Sequence, residues 1–212
     1  MLSRRPWQIW TAYTVLVGTL YILATRAPYR EPIVIPSIAI DDFIPFVPAA
    51  ALVYATYAVL LPALIAARRR TPGFDQVFAV AMGCGFTNAI VYNVVPTRIP
   101  DRTLAPDASV LAFIQRLDTT LGAFPSGHVA LPAAIATTSL LVASRSHGDT
   151  ARFWRRSALA FAVWTAALAA STVLTKQHVV VDIVAGLAFG MSAAGVGTWV
   201  FRRVEASEGG AA

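Results

Sequence analysis

Two short polar stretches interrupt an otherwise apolar chain, and they contain the residue types that group-transfer chemistry needs. The first is the run Phe-Pro-Ser-Gly-His at residues 124–128. The second begins with Ser171 and contains His178 and, four residues later, Asp182. Both lie where a long apolar run meets a polar loop, a position in which ionisable groups are costly. We therefore predict that the two stretches form the active site.

Ser126, Gly127 and His128 have the properties of an anion-binding helix start. A serine at the first position of a helix accepts hydrogen bonds from free backbone N–H groups. Unpaired N–H groups and the helix dipole attract negative charge, and a glycine lets a ligand approach the backbone closely. The imidazole of His128 would stand over this anion and exchange a proton near neutral pH. The pattern predicts an anion site beside an acid or base.

His178 and Asp182 are spaced so that they share one face of a helix. A carboxylate that binds one imidazole nitrogen fixes the tautomer and leaves the other nitrogen free and more nucleophilic. The spacing therefore indicates a nucleophilic or basic histidine with its orienting acid. The alternative is a hydrogen-bonded pair at a helix end that has no chemical role.

Positive charge for the anion is available on the same side of the predicted bundle. Arg98 and Arg102 lie just after the third apolar run, and guanidinium groups bind phosphate oxygens in pairs without losing their charge. Lys176, two residues before His178, is a further candidate. Alternatively, Lys176 is an interfacial lysine without a role in the site, whose aliphatic part lies along apolar surface. Which arginine is the main phosphate ligand stays open.

Apolar runs long enough to span a bilayer must position these residues, and a span takes roughly 20 mostly apolar residues. Hydrophobic residues make up 57% of the 212-residue chain and charged residues only 13%. Six runs qualify, of which the fourth is the shortest: Trp7–Ala24, Ile44–Ala67, Phe74–Val95, Gly127–Ser144, Trp154–Leu174 and Val179–Phe201. We predict an all-α polytopic membrane protein with a single domain over residues 1–212, ending in a disordered tail at 204–212.

The basic residues are divided unequally between the two sides of this bundle. If the six spans alternate, eleven of the 17 lysines and arginines fall on the side of the termini. The positive-inside rule then places both termini in the cytoplasm and both histidine stretches on the outer side. Topology thus accounts for the net charge of +6, and we expect no nucleic-acid partner. Cys84 is the only cysteine, which excludes a disulfide within the chain.

Two outer loops contain further candidates. In the loop at 25–43, Asp41 and Asp42 could contact a lipid headgroup or a metal, or could form the solvated start of a helix. In the loop at 96–124, apolar residues recur at helical spacing after Pro106-Asp107, at Val110, Phe113, Ile114, Leu117 and Leu121. This spacing predicts a short amphipathic helix at the membrane surface. It would cover the site or guide a lipid into it, or would pack against the bundle without such a role.

The two histidine motifs, in this order, resemble the second and third signature motifs of the type-2 phosphatidic acid phosphatase superfamily. The six-span layout fits this family as well. The resemblance implies a metal-independent reaction through a covalent phosphohistidine, with His178 as nucleophile, Asp182 as its orienting partner and His128 as the acid. It also implies that Ser126, Gly127 and an arginine hold the phosphate oxygens.

The first and third motifs depart from the usual pattern of that family. Val91 stands where the first motif has a lysine, and Ile99 separates Arg98 from the following proline. Thr172 replaces the arginine that usually follows the serine of the third motif. In these features the chain resembles the branch that contains inositol phosphorylceramide synthases and sphingomyelin-synthase-like transferases.

The resemblance implies an enzyme that acts on a membrane lipid phosphate, and we expect a phosphatase that hydrolyses a lipid phosphomonoester. The alternative is a phosphotransferase that uses the same histidine chemistry with an alcohol as acceptor. A lipid-binding or transport protein that has lost catalysis is a third hypothesis, and the complete set of His128, His178 and Asp182 argues against it. We expect no cofactor and no metal. The chain has sixteen arginines and one lysine, a ratio that indicates a GC-rich bacterial genome. We therefore expect the protein in a bacterial plasma membrane.

Overall fold

The computed structural model describes residues 5–68, 70–100, 103–105 and 109–209, and within these ranges the fold is all-α apart from two very short strands. The long helices are α1 (Pro6–Arg26), α5 (Phe74–Val94), α7 (Gly127–Ala143), α8 (Gly148–Leu174) and α9 (Val180–Gly209). Helix α7 lies at the centre and packs against α5, α8 and α9. Helix α1 packs mainly against α5, so it lies at the edge of the bundle.

In the described ranges, five helical segments are long and apolar enough to cross a membrane: Pro6–Arg26, Pro48–Ala66, Phe74–Val94, Gly148–Leu174 and Val180–Ser207. These segments indicate an integral membrane protein. The remaining apolar helix, α7, has 17 residues and corresponds to the fourth and shortest predicted run. Helix α9 continues through residues 204–209 of the predicted tail, where alanine and glutamate favour helix over disorder.

The second apolar segment differs most from its predicted bounds of Ile44–Ala67. It becomes helical only at Pro48, because Pro45 and Pro48 lack the backbone N–H group that a helix interior requires. From there it alternates between 3₁₀ and α geometry: a 3₁₀ turn (Pro48–Ala50), α3 (Ala51–Ala55), a second 3₁₀ turn (Thr56–Val59) and α4 (Leu60–Arg68). The segment thus stays helical over Pro48–Ala66, but it begins later than predicted and changes between 3₁₀ and α geometry along its length.

Helices α7 and α9 cross at close range because α9 has glycines one turn apart, at Gly186 and Gly190. A Cβ atom at Gly186 would lie 2.6 Å from the carbonyl oxygen of Ser126, and one at Gly190 would lie 2.2 Å from that of Ala130. Small residues at this spacing let two helix backbones approach each other in a membrane. The crossing brings the start of α7 beside the start of α9, and the two histidine motifs lie at these starts.

Three loops are joined by short strand pairing that the sequence analysis did not predict. Strand β1 (Ile33–Val34) pairs in parallel with β2 (Thr97–Arg98), and Arg98 also forms an antiparallel bridge with Leu121. Strands of two residues have no detectable alternation of apolar and polar positions, so their pairing leaves no pattern in the sequence. The pairing fastens the loops before α2 (Ala39–Phe43), after α5 and before α7 to one another.

The predicted amphipathic helix is present as α6 (Val110–Leu117). It begins at Ser109, whose hydroxyl accepts a hydrogen bond from the N–H group of Ala112 over 3.0 Å. The proposed start at 106–107 lies outside the described residues. Leu121 is not part of the helix, because α6 ends at Leu117 and the chain then turns towards the bridge between Leu121 and Arg98.

Candidate active site

His128 and His178, which the sequence places 50 residues apart, face each other in the structure. Nε2 of His178 lies 3.4 Å from Nδ1 of His128, and the ring centroids are 5.5 Å apart. His128 lies in the first turn of α7, and His178 lies in the turn just before α9. The close crossing of α7 and α9 at Gly186 and Gly190 of α9 brings these two turns together.

Asp182 contacts the opposite nitrogen of His178. Its Oδ2 lies 3.3 Å from Nδ1 of His178, and the same oxygen accepts the N–H group of Val179 over 3.3 Å. Asp182 is fully buried and His178 is 7% exposed. A carboxylate three residues into a helix that binds the backbone before it forms half of a capping box. Asp182 therefore both closes the start of α9 and holds Nδ1–H of His178, which leaves Nε2 as the lone-pair nitrogen.

The turn that carries His178 differs from the predicted helix, because α9 begins only at Val180. Lys176 adopts a left-handed backbone with φ of 54°, which breaks the chain out of α8. The N–H group of His178 donates to the carbonyl oxygen of Thr172 over 3.3 Å. The histidine thus lies in a tight turn that depends on contacts from outside α9.

Asp41, a predicted headgroup contact, provides those contacts from the first outer loop. Its Oδ1 accepts the N–H group of Val180 over 2.8 Å, and its Oδ2 accepts that of Ile38 over 2.9 Å. Nζ of Lys176 donates to the carbonyl oxygen of Asp41 over 2.8 Å. Because these bonds lie on both sides of His178, the acidic residue braces the turn. Asp42 is exposed.

Replacing Asp41 with asparagine should lower kcat about tenfold and leave KM nearly unchanged. One charge-assisted hydrogen bond to the turn is lost, and such bonds contribute roughly 1.5–3 kcal/mol. The exposed neighbour offers a matched control, and Asp42→Asn should keep kcat within about twofold of the parent protein. Steady-state kinetics on a lipid phosphate, the substrate that the sequence analysis expects, measures both. A rise in KM alone for Asp41→Asn would instead support the headgroup contact that the sequence suggests.

The turn before α7 is held by polar side chains of α5. The hydroxyl of Tyr92 donates to the carbonyl oxygen of Pro125 over 2.8 Å and accepts the N–H group of Gly127 over 3.0 Å. Nδ2 of Asn88 donates to the same carbonyl over 3.3 Å. The N–H group of Ser126 donates to the backbone carbonyl of Asp182 over 3.2 Å, which ties this turn to the start of α9.

Ser126 occupies the predicted capping position, but its hydroxyl makes no capping bond. The hydroxyl oxygen is fully buried and has no hydrogen-bond partner among the described residues. The bond from Gly127 to Tyr92 occupies one of the N–H groups that the sequence assigned to the anion. Tyr92 therefore already pairs one backbone N–H group at the start of α7. The buried hydroxyl of Ser126 stays without a hydrogen-bond partner among the described residues.

Two of the predicted cations, Arg98 and Lys176, lie within the described residues, and neither lines the cavity beside the histidines. Arg98 lies in β2, is half-exposed and does not line the cavity beside His178. Lys176 is directed to Asp41 by its hydrogen bond. Arg102 lies outside the described residues.

An apolar cavity of about 700 Å³ opens beside the histidines. Gly127, His128 and His178 form part of its wall, and other parts come from α1, the second apolar segment, α5, α6, α7 and the loop after α6. The ring of His128 packs between Tyr54 and Tyr57, at centroid distances of 4.4 and 4.5 Å. A largely apolar cavity with a few convergent polar groups is the usual form of a small-molecule site.

Sequence reasoning missed five polar residues of this site. Asn88 and Tyr92 stand one turn apart inside an apolar run, and polar residues in such a run are themselves a signal. Tyr54 and Tyr57 share a face at a spacing of three. Asp118 lies in a loop, so no spacing could have indicated its place in the cavity wall.

The helical bundle holds a cluster of buried Asp182, buried His178 and half-buried His128, and these side chains suit nucleophilic and acid–base chemistry. The profile of the PAP2 superfamily matches residues 77–205, more than half of the chain. The protein therefore belongs to the PAP2 superfamily. Members of this superfamily are phosphoesterases. Membership therefore supports a phosphatase-type enzyme, with phosphatase or phosphotransferase activity in general. No curated protein sequence and no solved structure matches the chain.

Proposed function

We propose that this protein is a membrane-integral lipid phosphatase that hydrolyses a lipid phosphomonoester through a phosphohistidine at His178. The observation that carries the proposal is the series of contacts from Asp182 through His178 to His128. Asp182 holds Nδ1 of His178, and Nε2 is directed at His128, 3.4 Å away, beside the apolar cavity. A cavity of this kind suits a lipid better than a polar metabolite.

In the proposed reaction, Nε2 of His178 attacks phosphorus and the bond from phosphorus to the lipid oxygen breaks. His128 donates a proton to that oxygen, so the lipid leaves as a neutral alcohol. Asp182 stabilises the positive charge on the phosphorylated imidazole ring. His128 then takes a proton from a water molecule that attacks the phosphohistidine. Inorganic phosphate leaves and His178 is restored.

The phosphoryl oxygens need donors that are in place before the reaction. We assign them to the predicted set of Gly127, Ser126, Lys176 and an arginine, either Arg98 or Arg102. The buried hydroxyl of Ser126, which has no partner in the described part of the chain, supports its place in this set. Phosphorus can reach Nε2 only if the contact between the two histidines opens.

The predicted topology completes the proposal. Six spans in one domain, both termini in the cytoplasm and the reaction on the outer face of a bacterial plasma membrane agree with the distribution of basic residues. The short helix α7 is supported as the fourth span by its central position in the bundle. A lipid would then reach the histidines from the side, through the cavity wall.

A phosphotransferase with an alcohol acceptor is the second candidate. The departures at Val91 and Thr172 favour it, because they resemble the branch of inositol phosphorylceramide synthase-like transferases. The two reactions share the phosphohistidine and differ only in what attacks it.

The purified protein in chelator should release inorganic phosphate from a panel of lipid phosphates. Acid quenching within the first turnover should trap no label, whereas alkaline quenching should retain a phosphoryl group on His178, since phosphohistidine is labile in acid and stable in alkali. New phospholipid that forms only with an added alcohol would favour the transferase. Absence of both products and of the labelled protein would favour the lipid-binding hypothesis.

A further inference from the structure

The cavity beside the histidines is long and follows helix α1. The residues of α1 that line it run from Trp10 to Tyr21, which are eleven residues apart, so this wall is about 16 Å long. On α5 the lining residues run from Cys84 to Tyr92, over about 12 Å. We call the space between these two walls the α1 slot.

Tyr21 marks the end of the α1 slot that lies at the proposed reaction centre. Its ring contacts that of Tyr92 at a centroid distance of 6.2 Å, and the hydroxyl of Tyr92 accepts the N–H group of Gly127, the residue before His128. Trp10 lies about three helical turns further along α1. The slot therefore leads away from the histidines along the length of the bundle.

The far half of the α1 slot is lined mainly by apolar and aromatic side chains, among them Trp10, Leu61 and Pro62. The side chain of Tyr13 reaches from α1 to α5, where its hydroxyl occupies the space that a Cβ atom at Gly85 would need. Tyr13 therefore limits the slot on this side. Apolar cavities stay dry and bind apolar ligands, so the far half of the slot suits hydrocarbon.

The length of the α1 slot corresponds to a definite length of hydrocarbon. Three covalent bonds of an extended chain advance at most about 3.6 Å, so each bond advances about 1.2 Å. A wall of about 12–16 Å then accommodates about ten to thirteen carbons in a row. A chain whose phosphoester lies at His128 begins at the open end of the slot, because His128 and the slot residues line one continuous cavity.

We propose that the α1 slot binds the hydrocarbon chain of the lipid phosphate, which lies extended along α1 with about its first ten to thirteen carbons inside the bundle. The substrate class is then a lipid phosphate with a chain of at least this length at its phosphoester, in preference to a short-chain phosphate. This inference rests on the proposed function, because it places the phosphoester at His128. Gly18 acts in substrate selection, since it lines the slot and no described atom lies within 4 Å of a Cβ built there.

Two dodecyl phosphate probes test the course of the chain, one with a photoreactive diazirine at carbon 4 and one with it at carbon 10. Six bonds separate these positions, or about 7 Å, which equals about five residues of helix. After irradiation of the purified protein, peptide mass spectrometry should find the carbon-4 label near Gly18 and the carbon-10 label near Tyr13. Labels at one level of α1 for both probes would overturn the inference, as would labels only at outward-facing positions such as Val15 and Gly83.

Replacing Gly18 with leucine should shorten the α1 slot, because the new side chain enters open space in the path of the hydrocarbon. The ratio of kcat/KM for dodecyl phosphate to that for butyl phosphate should fall at least about tenfold relative to the parent protein. The partition of each substrate between water and detergent is the same for every variant and cancels in this comparison. The carbon-10 label near Tyr13 should also be lost.

Gly83→Leu is the matched control. Gly83 lies in α5, is exposed and does not line the cavity, and no described atom lies within 4 Å of a Cβ built there either. The ratio between the two substrates should therefore stay as in the parent protein. An unchanged ratio in Gly18→Leu would overturn the inference. An equal loss for both substrates in Gly18→Leu would show a structural role and would overturn it as well.

A failure of the proposed function has a different signature, because photolabelling requires binding and no reaction. If neither phosphate is turned over, a carbon-10 label near Tyr13 that is lost in Gly18→Leu and kept in Gly83→Leu would support the α1 slot without the phosphatase. Turnover of dodecyl phosphate without labels at the two levels of α1 would overturn the slot and leave the proposed function in place.

Discussion

Replacing His178 with alanine should lower phosphate release by at least about a thousandfold and abolish the phosphorylated protein. In the proposed reaction this variant lacks the nitrogen that attacks phosphorus, and nucleophile deletions in enzymes that form covalent intermediates cost at least this much. The cavity, the turn at Ser126 and the start of α9 are retained, so lipid binding should persist. Rapid-quench measurements on purified protein in chelator follow both the released phosphate and the protein-bound phosphoryl group.

The chain contains its own control for this experiment. His147 is exposed and lies just before α8, and His147→Ala should leave turnover within about twofold of the parent. Asp182→Asn should retain a phosphorylated protein that forms slowly, because the nucleophile remains while its tautomer and orientation are no longer fixed. Full activity in His178→Ala would rule out this residue as the nucleophile and direct attention to His128.

Replacing Gly190 with alanine should destabilise the protein and also reduce turnover. The added Cβ would lie 2.2 Å from the carbonyl oxygen of Ala130, so α9 must move away from α7. Overpacking of this kind costs roughly 1–3 kcal/mol, and a displacement of about 1 Å at a catalytic centre costs up to about a hundredfold in rate. Thermal unfolding in detergent and steady-state kinetics measure the two effects.

Gly195, in the same helix, provides the comparison. No described atom lies within 4 Å of a Cβ built there, so Gly195→Ala should be neutral or slightly stabilising, as expected for alanine in a helix. A Gly190→Ala protein with parent stability and parent kinetics would show that the crossing of α7 and α9 tolerates separation. The positions of His128 and His178 would then depend on the loops instead.

The contact between His178 and Asp182 was predictable because the two residues keep a short, regular spacing. His178 and Asp182 are four residues apart, and the structure brings the imidazole and the carboxylate together even though His178 precedes the helix. The Pro-Ser-Gly-His run likewise lies at a helix start, as its residue types indicate. Local spacing determines these contacts, so one sequence is sufficient to predict them.

The remainder of the site depends on contacts between distant segments, for which one sequence holds no signal. Asp41 was visible as an acidic residue, but only the fold shows that it binds the N–H group of Val180. Asp118 meets Tyr21 and Tyr54 across three elements. The hydroxyl of Ser126 was predicted to cap a helix, whereas the bond between Gly127 and Tyr92 takes up the nearby donor. In each case tertiary packing decides the partner.

The apolar runs predicted most of the fold, because a membrane-spanning helix satisfies its backbone hydrogen bonds within one segment and does not depend on distant parts of the chain. The exception is the second segment, where Pro48 delays the helix and 3₁₀ turns interrupt it. Residues around such interruptions are rotated relative to a regular helix. The spacing of Tyr54 and Tyr57 therefore indicates a shared face but not that this face contacts His128. Irregular backbone is where sequence periodicity stops being informative.

Helix α1 supplies Tyr13 and Tyr21 to the cavity, yet it packs mainly against a single neighbour and exposes large apolar side chains on its other face. One side of the reaction chamber is therefore a helix whose outer surface meets lipid. Transmembrane helices tilt when the bilayer is thicker or thinner than their apolar length. Because α1 lines the cavity, we expect the width of the cavity to vary with membrane thickness.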